Sequence, residues 1–134
     1  MMIQPAQLKL LSVDDDASSA ELVVRVAERC GIEAFATSES RGVMNLVTTL
    51  KPDVVVVDIS MPHLDALELF KLLAAAKYSG ALLIVSGQDD QVLQVTAHAA
   101  TALGLATPVV HRKPIKIQAF RESLLQVKPL NDAA

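Results

Sequence analysis
Apolar residues along this chain alternate between two rhythms. Short, mainly apolar runs appear at Leu8 to Val13 (with Lys9 and Ser12 within it), Val54 to Val57, Ala81 to Val85 and Val109 to Val110, with a weaker one at Ile32 to Ala36. Such runs are apolar in both side-chain directions, as strands covered on both faces are. Between them, apolar positions recur every three or four residues. They trace Leu22, Val23, Val26, Ala27 and Cys30, then Val43, Leu46, Val47 and Leu50, then Leu67, Phe70, Leu73 and Ala74. Val92, Leu93, Thr96, Ala99, Ala100 and Leu103 mark a fourth helix, and Ile117, Phe120, Leu124 and Val127 a fifth. Gly31, Gly80 and Gly104 are expected to end the first, third and fourth helices, and Pro52 to break the second. Ser38 or Ser40 is expected to cap the second helix and Asp65 the third. Five strands alternating with five helices predict an α/β fold: a parallel sheet, helices on both faces, right-handed crossovers.

The valine run fixes the centre of that sheet. Asp58 follows it directly, and Pro62 stops the strand. Asp58 should therefore stand at the carboxyl end of a central strand, where open α/β sheets bind ligands. Other polar groups fall at equivalent places. Asp14 and Asp15 follow the first strand, Ser86 the fourth and Lys113 the fifth. In a parallel sheet these ends share one edge, so the groups converge. Three crowded carboxylates repel strongly in a low-dielectric crevice. A hard divalent cation relieves this, and a wet site of oxygen ligands favours Mg²⁺. Lys113 adds a compact positive charge and Ser86 a hydroxyl. The set suits a phosphoryl group attacked in line by a carboxylate.

Composition narrows the class. The chain has 134 residues, 51% apolar, with a formal charge of −3. That is enough for one domain with a core, and it carries no basic excess for nucleic acid or a membrane surface. The single cysteine, Cys30, allows no internal disulfide, and it is read as a core thiol in a reducing, cytoplasmic setting. Met1 to Pro5 lacks the pattern of a signal peptide, and no apolar run approaches a membrane span. Residues 129–134 are read as a polar tail or the start of a linker, leaving residues 1–128 as the domain.

Val13-Asp14-Asp15-Asp16, Asp58-Ile59-Ser60-Met61-Pro62, Ser86-Gly87 and Lys113-Pro114 together resemble the receiver domain of two-component response regulators, over roughly Leu8 to Val127. The resemblance implies a flavodoxin-like (βα)5 three-layer sandwich with strand order 2-1-3-4-5. It implies that Asp58 is the phosphoacceptor and that Mg²⁺ is held by Asp14, Asp15, Asp58 and the backbone carbonyl of Ser60. It makes Ser86 the switch hydroxyl and Lys113 its partner at the phosphoryl group. It implies a histidine kinase or histidine phosphotransfer protein as donor, and an output domain or effector as partner, with a homodimer also open. Three features depart from the family pattern. Val110 stands where the family has an aromatic, three positions before the lysine. Asp65-Ala66 replaces the usual Asp-Gly. The stretch from Leu103 to Pro108 is about two residues longer than the common form, and this longer form is similar to that of receivers joined to cyclic-dinucleotide phosphodiesterase output domains.

Plainer readings stand beside these. Asp16 suits a helix cap better than a ligand, Ser86 alone is an ordinary turn serine, and Gln88 bears on dephosphorylation only by family analogy. His63, His98 and His111 lack metal-ligand spacing and are read as surface or packing residues, with His111 on the opposite strand face from Val110. Two other functions compete with a phosphorylation switch. One is a pseudo-receiver that binds partners without phosphate, favoured by Val110. The other is a phosphatase with an aspartate nucleophile, disfavoured because that chemistry wants an acid at position 60, which is Ser.

Overall fold
The structure, a computed structural model, describes residues 7–62 and 64–130. The readings of Met1 to Pro5, of His63 and of the tail from Asn131 to Ala134 lie outside the described residues.

Strands β1 (Lys9–Val13), β2 (Glu33–Thr37), β3 (Val54–Asp58), β4 (Ala81–Ser86) and β5 (Val109–Arg112) alternate with helices α1 (Ala17–Arg29), α2 (Val43–Leu50), α3 (Ala66–Ala75), α4 (Asp90–Ala102) and α5 (Ile117–Leu125). All strand pairs are parallel, in the order 2-1-3-4-5 expected from the sequence. Strand alternation divides the core into two layers. Leu11, Val13, Val55, Val57, Leu82 and Ile84 pack with α2, α3 and α4 around Phe70 and Leu73. Leu10, Val54, Val56, Leu83 and Val85 pack with α1 and α5 around Phe120 and Leu124. The four valines of β3 are all buried, each contributing about 1.5–3 kcal/mol of apolar burial. That burial holds the strand centrally and carries Asp58 to its end.

Helix ends show where local signals sufficed. Asp16 caps α1 by accepting the amides of Ser18 and Ser19, and Asp65 caps α3 through Glu68. Gly31 and Gly104 follow α1 and α4 at φ 80° and 90°, the left-handed step that ends helices and that glycine takes freely. Two expectations fail. Neither Ser38 nor Ser40 caps α2. Its cap position is Gly42, at φ 82° and with no side-chain cap bond, after a bent loop in which Thr37 accepts the Glu39 amide. Gly80 does not end α3, which stops at Ala75 with Lys77 at φ 57°. A Cβ at Gly80 would collide with the Tyr78 ring and lie 2.8 Å from the Asp53 carbonyl oxygen, so close approach, not helix termination, requires glycine there. Within the stripes, Leu67 and Val92 are exposed, and Leu69 takes the core position in α3. Cys30 is half-buried at the end of α1, against the α1–α5 layer. His98 is exposed; His111 faces α5, edge-on to Phe120 with Nε2 2.9 Å from Ser123 Oγ.

One core group runs against the general rule. Ser12 is 1% exposed in β1 and its hydroxyl has no hydrogen-bond partner among the described residues. An unmade bond at such a site costs about 1–3 kcal/mol. Ser12→Ala should therefore leave stability unchanged or raise it by about 1 kcal/mol in urea unfolding. A loss larger than that would contradict the geometry.

Candidate functional site
The carboxyl ends of β1, β3, β4 and β5 bring the expected groups to one rim. Asp14 and Asp58 are each 2% exposed there, whereas Asp15 is exposed. The Lys113 ammonium reaches in from the turn after β5. Its Nζ lies 3.0 Å from Asp58 Oδ2, 3.2 Å from Asp14 Oδ2 and 3.9 Å from Asp16 Oδ2. It hydrogen-bonds Asp58 and, more weakly at 3.4 Å, Asp14 Oδ1. The peptide joining Lys113 to Pro114 is cis.

Each carboxylate has its own supports. Asp14 Oδ1 accepts the Asp16 amide at 2.9 Å. Asp58 Oδ1 accepts the Ser60 amide at 2.9 Å and also a short hydrogen bond from the Ser60 hydroxyl. Burial pushes the Asp58 carboxyl up, but the two Ser60 donors and Lys113 outweigh it and hold it below the ordinary carboxylate range. Burial also pushes Asp14 up. The charge on Asp58 adds to that, and the Asp16 amide and Lys113 do not fully offset it. Asp58 is thus the better-stabilised anion of the pair, and Asp14 bears the strain of crowding. Burial would lower the Lys113 ammonium, yet its bonds to Asp58 and Asp14 raise it, so it is fully protonated at neutral pH.

Two observations test the fit to a hard cation. Asp14 Oδ2 is buried and, beyond its poorly aligned ion pair with Lys113 Nζ, has no hydrogen-bond partner among the described residues. One carboxylate oxygen from each of Asp14, Asp15 and Asp58 lies within 4.8 Å of the others. An orphaned anionic oxygen beside two more acids matches an oxygen-liganded divalent ion such as Mg²⁺.

Ser86 is fully buried, and its Oγ accepts the Gln88 amide at 3.0 Å. That is the turn-serine geometry, and among the described residues no hydrogen bond joins the hydroxyl to Asp14 or Asp58. It is nevertheless tied to the lysine, because the Lys113 amide donates to the Ser86 carbonyl at 2.9 Å. Val110 packs into the α2–α4 layer, and His111 is on the other face as alternation requires. Two contacts escaped the sequence reading. The Ser60 side chain bonds the central aspartate, where only its carbonyl was expected to matter. Asp16, besides capping α1, is the third acid near Lys113. The unbroken run Asp14-Asp15-Asp16 was the available signal for the latter.

A family model described as the response regulator receiver domain matches residues 10–124. Among curated proteins, the chain is 31% identical over 83 residues to the alkaline phosphatase synthesis transcriptional regulatory protein PhoP of Bacillus subtilis, covering 62% of this chain and 35% of that one. It is 25% identical over 124 residues to sporulation initiation phosphotransferase F of the same organism, covering 91% and 94%. The chain spans less than half the length of the first curated relatives it matches. Among solved structures, a receiver domain from Bermanella marisrubri superposes with a TM-score of 0.75 at 24% identity, over 91% of this chain and 98% of that one. No helix among the described residues is long and apolar enough to cross a membrane. Receiver domains interact with histidine kinases and output domains, generally use Mg²⁺, and are in general signalling modules and not enzymes. With the matched segment running from the first strand to the last helix, the chain belongs to the response regulator receiver domain family.

Proposed function
We propose that this protein is a phosphorylation-dependent switch in which Asp58 accepts a phosphoryl group from a histidine kinase or a histidine phosphotransfer protein. One observation carries the reading: Lys113 Nζ sits 3.0 Å from the Asp58 carboxylate, inside a rim of two further acids. Asp58 is held ionised, as a nucleophile must be. One of its oxygens forms the bond to phosphorus while the P–N bond of the donor phosphohistidine breaks, and the imidazole leaves with the electron pair and takes up a proton. Asp14, Asp15, Asp58 and the Ser60 carbonyl would hold Mg²⁺, which when bound neutralises charge on the phosphoryl oxygens. Lys113 then exchanges its carboxylate contact for a phosphoryl oxygen. Ser86, an acceptor from Gln88, keeps its own proton to donate to that group.

With Val110 in place of a ring, coupling to the outer face runs through the backbone link between Ser86 and Lys113. It ends on α4, β5 and α5, where Val95, Val109 and Ile117 are exposed for a partner. That partner is an output domain or a separate effector, a cyclic-dinucleotide phosphodiesterase being one candidate and a second copy of the chain another. The setting is the cytoplasm.

The test is incubation with Mg²⁺ and acetyl phosphate, read by intact mass. Wild type should gain one phosphoryl group and Asp58→Asn none. An adduct that survives in Asp58→Asn, or none on wild type, overturns the assignment. Equal partner binding by Asp58→Asn and phosphorylated wild type would support the phosphate-independent alternative instead.

A further inference from the structure
The opposite edge of the sheet holds a third buried carboxylate with a different task. Asp53, immediately before β3, is 8% exposed. Its Oδ2 accepts the amide of Lys9, at the start of β1, at 2.7 Å. Its Oδ1 accepts the amide of Leu130, 77 residues further along the chain, also at 2.7 Å. The Asp53 backbone is used as well: its amide donates to the Lys9 carbonyl and its carbonyl accepts from Ala81. The chain after α5 changes layer at this place. Val127 packs against the α1–α5 layer. Pro129 lines a depression with Leu8, Thr49 and Leu50. Leu130 lines another with Val47, Lys77 and Tyr78, on the α2–α3 side.

We propose that Lys128–Leu130 is a strap, seated on Asp53, that passes beneath the amino edge of the sheet and belongs to the folded domain. A carboxylate this buried is costly unless donors meet both oxygens. Here one donor is supplied by β1 and the other only by the strap, and both bonds are short and charge-assisted. The carboxyl end of α5 is thereby tied to the starts of β1 and β3. Leu130 itself sits beside the carboxyl ends of α2 and α3, on the edge away from Asp58. The folded unit then runs through Leu130 and does not stop at residue 128. This inference is independent of the phosphorylation reading.

Amide hydrogen exchange on the full chain tests it. In wild type the Leu130 amide should exchange at least about tenfold more slowly than an unstructured amide of the same sequence. Leu130→Ala keeps the donor, so protection at position 130 should persist. Asp53→Asn keeps one acceptor oxygen, which the strand-held Lys9 amide retains, and position 130 should return to within about twofold of the unstructured rate. Should Asp53→Asn fail to fold, wild type and Leu130→Ala still decide. Unprotected exchange at Leu130 in wild type, or full protection in folded Asp53→Asn, overturns the strap.

Discussion
Lys113→Met should destabilise the metal-free protein by about 3–5 kcal/mol at pH 7, the range for removing one partner of a buried ion pair. The ammonium stands within 3.4 Å of two carboxylates that are each 2% exposed, and is itself largely sheltered. Without it both acids remain buried with only backbone and hydroxyl donors, and their mutual repulsion is unscreened. Methionine fills a similar volume, so packing loss contributes little. The pH dependence follows from the direction of each shift. In wild type the Lys113 ammonium is raised above its ordinary 10.5, so its contribution is complete below that value and is lost as pH rises through the folded value. In Lys113→Met the deficit should shrink as pH falls toward the carboxylate range, because protonation removes the charges that lack a partner. Urea unfolding at several pH values measures this. A deficit below about 1 kcal/mol at pH 7 would mean that water, not Lys113, neutralises the pair.

Much of the site could be read from residue order because it depends on topology rather than on detail. Val54 to Val57 are apolar in both side-chain directions, so β3 had to be central and Asp58 had to emerge at its end. Once the strands are parallel, Asp14, Asp58, Ser86 and Lys113 share an edge whatever the loops do. The failures are of another kind. Serine favours both helix caps and bends, so Ser38 and Ser40 carried no information on which of the two the loop would form. A glycine after a helix reads as a terminator, but Gly80 answers to Tyr78 and to the Asp53 carbonyl. The orientation of the Ser86 hydroxyl toward Gln88 depends on a single rotor. The seat of Leu130 on Asp53 joins residues too far apart for any local pattern to announce.

Removing an acid from the same cluster should have the opposite effect. The Asp14 carboxyl is raised above its ordinary 3.8, first by burial and further by the charge on Asp58. A raised acid destabilises the fold once ionised: the penalty is absent below 3.8, grows as pH rises from there to the folded value, and is constant above it. Asp14→Asn removes that charge while its Oδ1 can still accept the Asp16 amide. The repulsion between two such charges is about 4 kcal/mol at close separation and an effective dielectric of 20. Lys113 already offsets most of it, so Asp14→Asn should stabilise the metal-free protein by about 1–2 kcal/mol at pH 7. In combination with Lys113→Met it should recover a large part of the loss, because the two sites share one electrostatic network. Mg²⁺ should reverse the ranking. At a hundred times its dissociation constant a ligand stabilises the native state by about 2.7 kcal/mol, and Asp14→Asn, having lost the orphaned Oδ2, should gain little of it. Thermal unfolding with and without Mg²⁺ should therefore show the curves of the two proteins crossing over. Equal Mg²⁺ stabilisation of both would place the ion away from Asp14, and a less stable metal-free Asp14→Asn would mean that its pairing with Lys113 outweighs burial and repulsion.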